Sequence, residues 1–278
     1  MKVILSRKGF DGSNGGMPSL IMPNGDMLSM PIPSSADADG YFDLIYDGKS
    51  YYKLLREVKP SFRYRKCHLD PDIDQVRRRV QVDGWKPAFG QIGTSASYLQ
   101  NTVQISPGDL FLFFGNFHIV EKHDGRYRFV RRTGDFYRDN DLQVIWGYLQ
   151  VEEVICDASR ISKEYSWHPH AKKIRVTDKT NILIVPRRHL SFAPTRLGAD
   201  VLPFSMERVL TKYNENKATW KYDSVYAPSS IIGNRKNMAG RRGIFYSGIW
   251  QELGLKQSSS ASRWAHRMVL APPTGLGK

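Results

Sequence analysis

Apolar positions along the chain form short runs that indicate strands more often than helices. Residues 103–121, VQISPGDLFLFFGNFHIVE, carry a continuous apolar run that follows a Pro-Gly turn, which is typical of a strand buried on both faces. Residues 142–155 predict one or two further long strands, with Gly147 as a bulge or bend. Shorter strands are predicted over residues 2–6, 127–132 and 181–185.

Helical signals are weaker and lie between the predicted strands. Residues 71–80 predict a helix, because Pro71 suits a first turn and the acidic residues precede three arginines. Residues 93–101 predict a short helix that Thr94 or Ser95 would cap. The whole pattern therefore predicts an α+β fold with a mixed, strand-rich core and with helical and loop decorations.

Two stretches rich in small and polar residues, 12–40 and 257–262, are interpreted as loops. A single domain over residues 1–278 is the preferred organisation, because aromatic residues are spread through both halves of the chain. The alternative is a strand-rich core over 1–155 followed by a basic, decorated region over 156–278. The clear strand pattern ends, and the basic excess begins, near that boundary.

Composition narrows the class of protein. With 41% apolar and 12% aromatic residues the chain can bury a real core, so it is expected to be globular. No stretch reaches the roughly 18 apolar residues of a membrane span, and the first residues are too short an apolar run for a signal peptide. A cytoplasmic protein without a membrane partner is the expectation. Cys67 and Cys156 stand far apart, so neither a disulfide framework nor a cysteine zinc site is indicated.

The formal net charge of +14 favours a polyanionic partner. Residues 1–140 carry a net charge of +4 and residues 141–278 a net charge of +10. Basic runs in the second half include HAKKIR (170–175), PRRHL (186–190) with Arg187 and Arg188, and residues 233–243. Solvated basic loops would show the same runs, but three in one half favour binding of DNA, RNA or a nucleotide.

A polar corner follows the first predicted strand in LSRKGFDGSNGGMPS (5–19). Arg7 and Lys8 supply cations and Asp11 a carboxylate, while Gly15 and Gly16 would let backbone N–H groups approach a ligand. We predict a phosphate-binding or catalytic corner, with Lys8 and Asp11 as catalytic candidates. A Lys-Asp pair on a surface loop is the competing interpretation. The spacing fits neither a P-loop nor a dinucleotide fingerprint.

A second cluster, His68, Asp70 and Asp72, alternates along the chain. On an extended segment the three side chains would share one face and could bind a metal ion or act as acid and base. Alternatively, Asp70 caps the predicted helix and Asp72 complements its dipole. The helical explanation is preferred for Asp72, while His68 and Asp70 are kept as catalytic candidates.

Other polar and aromatic residues suit contacts with a base. Gln91 and Asn101 carry side-chain amides that can pair with a base edge, although they could equally satisfy buried backbone groups. In WHPHA (167–171), Trp167 could stack on a base with His168 and His170 beside it. A metal site there would need a third ligand, and none is near in sequence, so no metal site is assigned.

Several of these segments together resemble the nucleotide modification-associated domain 3 family of bacteria and phages. The resemblance covers most of residues 1–155 and the rest more loosely. It rests first on SRKGFD (6–11) with the following glycine pair and Pro18. The later segments are HLDPDI (68–73), FGQIG (89–93) with Asn101, and GDLFLFFGNF (108–117). Association of that family with DNA base-modification systems implies a role on nucleotides or nucleic acid, without specifying a reaction.

A second resemblance concerns the fold. SPGDLFLFF (106–114) followed by VIWGYLQVEEVI (144–155) is similar to PUA-like barrels, including EVE-type domains, whose members often hold a flipped base or an RNA nucleotide. A Pro-Gly-Asp turn before any buried strand would give the same pattern.

These observations lead to two main functional hypotheses. The favoured one is an enzyme that acts on a nucleotide or on a base in DNA, in a modification or phage-defence setting. The Lys8/Asp11 corner and the acidic segment 68–72 would then converge on one pocket. The alternative is a non-catalytic PUA-like reader of a modified base in DNA or RNA. No cofactor motif is recognised, so the cofactor, the reaction and the oligomeric state stay open.

Overall fold

The computed structural model describes residues 1–235, 239–240, 243–246 and 250–275. Parts of the basic run 233–243 therefore lie outside the described residues. The strands are β1 (Val3–Arg7), β2 (Ser19–Ile21), β3 (Met27–Leu28), β4 (Ile32–Pro33), β5 (Ile45–Tyr46), β6 (Lys49–Ser50), β7 (Cys67–His68), β8 (Phe89–Gln91), β9 (Leu110–His123), β10 (Arg126–Phe129), β11 (Leu142–Ile155), β12 (Ile182–Pro186), β13 (His189–Leu190), β14 (Ala193–Leu197), β15 (Ala199–Val201), β16 (Thr219–Trp220), β17 (Ala239–Gly240), β18 (Gly243–Phe245) and β19 (Glu252–Leu255).

The helices are shorter and flank the strands. They are α1 (Tyr51–Val58), α2 (Gly93–Ser97), α3 (Phe136–Asp139), α4 (Ala158–Glu164), α5 (Lys173–Val176) and α6 (Ser259–Leu270). A π-helical turn, Tyr98–Val103, continues α2, and short 3-10 turns cover Gln75–Arg77, Pro169–Ala171, Met206–Arg208 and Ser224–Tyr226.

The main sheet is built around the two longest strands, β9 and β11. Its path runs β19-β1-β9-β11-β12-β8, with β10 and β2 also paired to β9 and β15 to β11. The register of β11 against β9 shifts between Ile145 and Gly147, which confirms the bulge predicted at the glycine. The sheet curls strongly, and the mixed α+β class with a strand-rich core is confirmed.

The sheet is buried on both faces because its central strands are apolar at successive positions. Val3 and Leu5 of β1 face one core with α6, whereas Ile4 faces a second core that includes Phe111 and Phe113 of β9. A third core forms where α1 packs beside the far half of β9. This continuous burial is what the apolar run over 103–121 predicts.

Four local predictions are wrong. β2, β3 and β4 lie within the stretch 12–40 that is interpreted as a loop, and α2 begins after Ile92 without a side-chain cap from Thr94 or Ser95. Residues 71–80 form no full helix; an extended segment after a cis Asp70–Pro71 bond leads only to the 3-10 turn at Gln75–Arg77. The serine-rich stretch 257–262 is not a loop throughout, because Ser258 caps α6 by accepting a hydrogen bond from the Ala261 N–H at 3.1 Å. Burial of the apolar face of α6 against the sheet then stabilises the helix.

Strand pairing crosses the boundary proposed near residue 155. β19, at residues 252–255, pairs with β1 at the beginning of the chain, and β12 pairs with β11. These pairings favour the single-domain interpretation, which stays a prediction.

Candidate functional site

An open cleft of about 350 Å³ lies where β1 and β8 end, beside β7 and the segment that leads into α5. Cations, carboxylates, imidazoles and amides line it together. Small-molecule sites typically enclose about 300–1,000 Å³, so the cleft is large enough for a small polar ligand. It brings together the corner after β1 and the His68–Asp70 segment, as the sequence predicts for one shared pocket.

Lys8 lies in the wall of the cleft with its side chain only 8% exposed. Its backbone N–H donates to the Phe114 carbonyl at 2.8 Å, which anchors the residue directly after β1. The ammonium group lies 4.3 Å from the centre of the Phe89 ring and 3.8 Å from Oδ2 of Asp70. A desolvated cation is therefore held beside a carboxylate at the cleft.

Asp70 supplies that carboxylate, and its side chain is 3% exposed. The Gly90 N–H donates to Oδ1 at 2.6 Å, and Nε2 of His168 lies 3.4 Å from the same oxygen. Burial alone would raise the pKa of Asp70, but the His168 ring and the Lys8 charge hold this pKa well below its usual range. Asp70 is therefore ionised at neutral pH.

His170 lies against β8, and its tautomer follows from its partner Asn181. The Asn181 amide donates to the His170 carbonyl at 3.1 Å, so its Oδ1 is left to accept from Nδ1 of the ring at 2.7 Å. Burial lowers the pKa of His170 to about 3, so the ring is neutral. With the proton on Nδ1, Nε2 carries the free lone pair.

His68 is held in the same way by a carboxylate. Its Nδ1 lies 3.1 Å from Oδ2 of Asp37, and Arg175 makes two bonds of 2.6 and 2.8 Å to that carboxylate. Burial would raise the pKa of Asp37, but the bonds from His68 and Arg175 hold it well below its usual range. The ionised Asp37 accepts a hydrogen bond from the Nδ1 N–H of His68, which leaves Nε2 as the ring nitrogen available to a ligand.

Three groups of the cleft could hold a metal ion. One nitrogen of His68, one nitrogen of His170 and one oxygen of Asp70 all lie within 4.8 Å of one another. The two imidazole rings are 5.4 Å apart between centroids and tilted by 49°. Nitrogen and carboxylate ligands of this kind suit transition metals.

Amide side chains form another wall of the cleft. Gln91 ends β8 and is buried, and its amide donates to Oε1 of Glu252 and, at 3.4 Å, to Oε1 of Gln251. Ser95 also donates to Gln251, at 3.0 Å. These bonds fix the orientation of both amides, and such amides can pair with the edge of a base.

Comparison with known families identifies what kind of protein carries this cleft. Residues 2–265 match the model of nucleotide modification associated domain 3. The chain belongs to this family. The resemblance predicted from residues 6–117 is thus confirmed and extends over nearly the whole chain. No protein of curated function and no solved structure matches.

Membership in the nucleotide modification associated domain 3 family indicates a role linked to nucleotide modification. Within the described ranges, every helix is too short or too polar to span a bilayer.

The glycine corner of this family member mainly builds its own turn. Oδ1 of Asp11 accepts from the N–H groups of Ser13 and Asn14 at 2.8 and 2.7 Å, and Arg7 lies 3.7 Å from Oδ2. A Cβ on Gly15 (φ +82°) would strike the buried Phe10 ring. The Gly16 N–H donates to the Asp11 carbonyl. Arg7 and Asp11 line the cleft, but the glycine pair does not.

The remaining predicted site residues lie outside the cleft lining. Asn101 is exposed on the π-helical turn, Trp167 packs beside Tyr165, and His168 is fully buried behind Asp70. Arg187 and Arg188 are exposed beside a different, mostly apolar groove, where Arg187 pairs with Glu152 at 3.3 Å. His168 contacts the cleft residue Asp70, with Nε2 3.4 Å from Oδ1.

Sequence reasoning missed five residues of the site, which are Asp37, His170, Arg175, Asn181 and Gln251. His170 was noted in WHPHA but not selected, and Arg175 appeared only as the end of a basic run. Asp37 falls within a stretch interpreted as a loop. Only folding places these residues at or beside the cleft, so sequence spacing carries no signal for the group.

Gly90→Ala tests the packing of the site. A Cβ at this position would collide with the His170 ring. We expect a loss of about 1–3 kcal/mol in the free energy of unfolding, measured with denaturant, and a shifted histidine ring signal in NMR spectra. The control is Gly12→Ala, where a Cβ meets nothing within 4 Å. Equal stability of the two variants would contradict the packing derived for His170.

Proposed function

We propose that the chain is an enzyme that acts on a nucleotide or on a base in DNA, bound in the cleft beside Lys8, His68, Asp70 and His170. The observation that carries the proposal is the ionised carboxylate of Asp70, which lies 3.8 Å from the buried ammonium of Lys8 and within 4.8 Å of a nitrogen of the neutral His170 ring. Strongly shifted titratable groups that converge in a cleft favour catalysis.

The cost of the buried charges favours an enzyme over a reader. A reader needs hydrogen-bond donors, acceptors and stacking surfaces, none of which requires a buried ion pair. Removing an ammonium and a carboxylate from water is expensive, and hydrophobic residues often replace such a pair without loss of stability. Retaining Lys8 and Asp70 at a cleft is readily explained if they act on a bound substrate.

The rim of the cleft suits a substrate with phosphate and base groups. Arg7, Lys8 and Arg175 all line the cleft, so its lining carries three cationic side chains. Charge-assisted hydrogen bonds to phosphate are strong and directional for arginine. The amides of Gln91 and Gln251 lie where a base edge could be recognised. The net charge of +14 supports a polyanionic substrate such as DNA.

The test is a comparison of nucleoside masses. The chain is expressed in a bacterial host, and the DNA, RNA and free nucleotides are digested and measured by mass spectrometry. We expect a modified nucleoside when the wild-type protein is expressed. With Asp70→Asn, whose side chain has the same shape but no charge, the level of that nucleoside should be at least 100-fold lower. The same assay is repeated on phage DNA.

Asp124→Asn is the matched control, because Asp124 is 81% exposed on the β9–β10 hairpin. It should behave like the unchanged chain. Unchanged nucleosides in all pools would refute the enzyme, and salt-dependent binding to modified duplexes would then identify a reader.

A further inference from the structure

We propose that His68, Asp70 and His170 form a binding site for one divalent first-row transition-metal ion, with open coordination positions toward the cleft. The inference deepens the proposed function, on which it rests for the use of the cleft. Binding of the metal ion to the cleft can be measured in the absence of any nucleotide.

The first support is the ligand set and its spacing. The donor atoms lie within 4.8 Å of one another. Around an ion with bonds of about 2.1 Å, neighbouring ligands lie about 3.4 Å apart, so binding would draw the side chains together by about 1 Å. Two imidazoles and one carboxylate select ions such as Zn²⁺ or Fe²⁺ over Mg²⁺.

The second support is the orientation of both imidazoles. Asp37 accepts from Nδ1 of His68, and Asn181 accepts from Nδ1 of His170, so each ring presents Nε2 as its lone-pair nitrogen. A carboxylate or amide behind a ligating histidine is the usual outer arrangement of metal sites. The Arg175–Asp37 ion pair then serves to position His68.

The third support is charge. Around the triad, the ammonium of Lys8 lies beside the carboxylate of Asp70, and the guanidinium of Arg175 lies beside the carboxylate of Asp37. A divalent ion would leave the cleft with excess positive charge, which favours an anionic substrate. Three protein ligands leave positions where a water or a substrate oxygen can bind and be polarised.

Lys8 provides a test that separates the metal site from a simple ion pair. Its ammonium lies 3.8 Å from Asp70 and repels a cation bound there. If Asp70 is a metal ligand, Lys8→Met should bind the ion as tightly as the unchanged chain or more tightly, whereas Asp70→Asn should weaken binding.

The experiment titrates the full chain, freed of metal by chelation, with Zn²⁺, Co²⁺, Mn²⁺ and, without oxygen, Fe²⁺. Calorimetry measures stoichiometry, and the visible bands of Co²⁺ report nitrogen and oxygen ligands. We expect one ion per chain, binding weakened at least about 100-fold in His68→Ala, His170→Ala and Asp70→Asn, and about 10–100-fold in Asn181→Leu. Millimolar Mg²⁺ should not displace Co²⁺.

His266→Ala is the control, because His266 stacks on Phe192 far from the cleft. If His170→Ala does not fold, the test rests on Asp70→Asn and on His68→Ala, since the side chain of His68 is 14% exposed. No binding, binding equal in all variants, or binding of Mg²⁺ alone would overturn the site. Metal binding without an altered nucleoside would refute only the proposed function, and an altered nucleoside without metal binding would refute only the metal site.

Discussion

Lys8→Met is expected to lower formation of the altered nucleoside about 100–1,000-fold while the chain stays folded. Methionine keeps the apolar stem against Phe89 but removes the cation that lies 3.8 Å from Asp70. A preorganised charge in a water-poor site stabilises charge that develops on the substrate, and loss of one such group typically has this effect. The nucleoside level is measured by mass spectrometry, and circular dichroism checks the fold.

Lys221→Met is the matched control for Lys8→Met. Lys221 is partly buried, and its ammonium lies 5.4 Å from the centre of the Tyr137 ring, away from the cleft. It should retain activity within a few-fold. Should Lys8→Met fail to fold, Lys8→Gln takes its place. Full activity in a folded Lys8 variant would show that Lys8 takes no part in the reaction.

Arg208→Met is expected to lower the free energy of unfolding by about 3–5 kcal/mol. The Arg208 side chain is fully buried and donates to the carbonyls of Met268, Val269 and Ala271 at the end of α6. A further bond reaches the Pro203 carbonyl at 2.7 Å. Carbonyls at a helix end have no partner inside the helix, so methionine would leave them buried and unsatisfied.

The matched control for Arg208 is Arg196→Met. Arg196 is exposed and makes a single bond of 3.3 Å to the Val269 carbonyl. It should change the free energy of unfolding by less than about 1 kcal/mol. Denaturant unfolding measures both variants. A loss below about 1 kcal/mol in Arg208→Met would show that water replaces the guanidinium at the helix end.

The candidate site was only partly predictable from sequence. His68 and Asp70, which the sequence offers as candidates because they alternate along the chain, both line the cleft. Asp72, in the same pattern, instead forms a buried ion pair with Arg78 at 2.6 Å. A period of two describes direction along a strand, but β7 ends at His68, so the alternation does not extend to Asp72.

The corner after β1 shows the same limit. The sequence predicts that Lys8 and Asp11 belong to one pocket, and both residues line the cleft. Lys8 is buried against a ring from β8, which the sequence places 81 residues later, whereas Asp11 caps a local turn. Local hydrogen bonds of an Asp in a glycine-rich turn are common, and sequence alone does not separate this use from catalysis.

The sequence by itself determined the long central strands, the bulge at Gly147 and the family, because apolar runs and local motifs depend on residues near one another in the chain. Only the tertiary structure decided the site. His170 and its partner Asn181 meet Asp70 and His68 because β8 and β12 pair across the sheet. Contacts between residues about 100 positions apart depend on strand order and register, which no local pattern encodes.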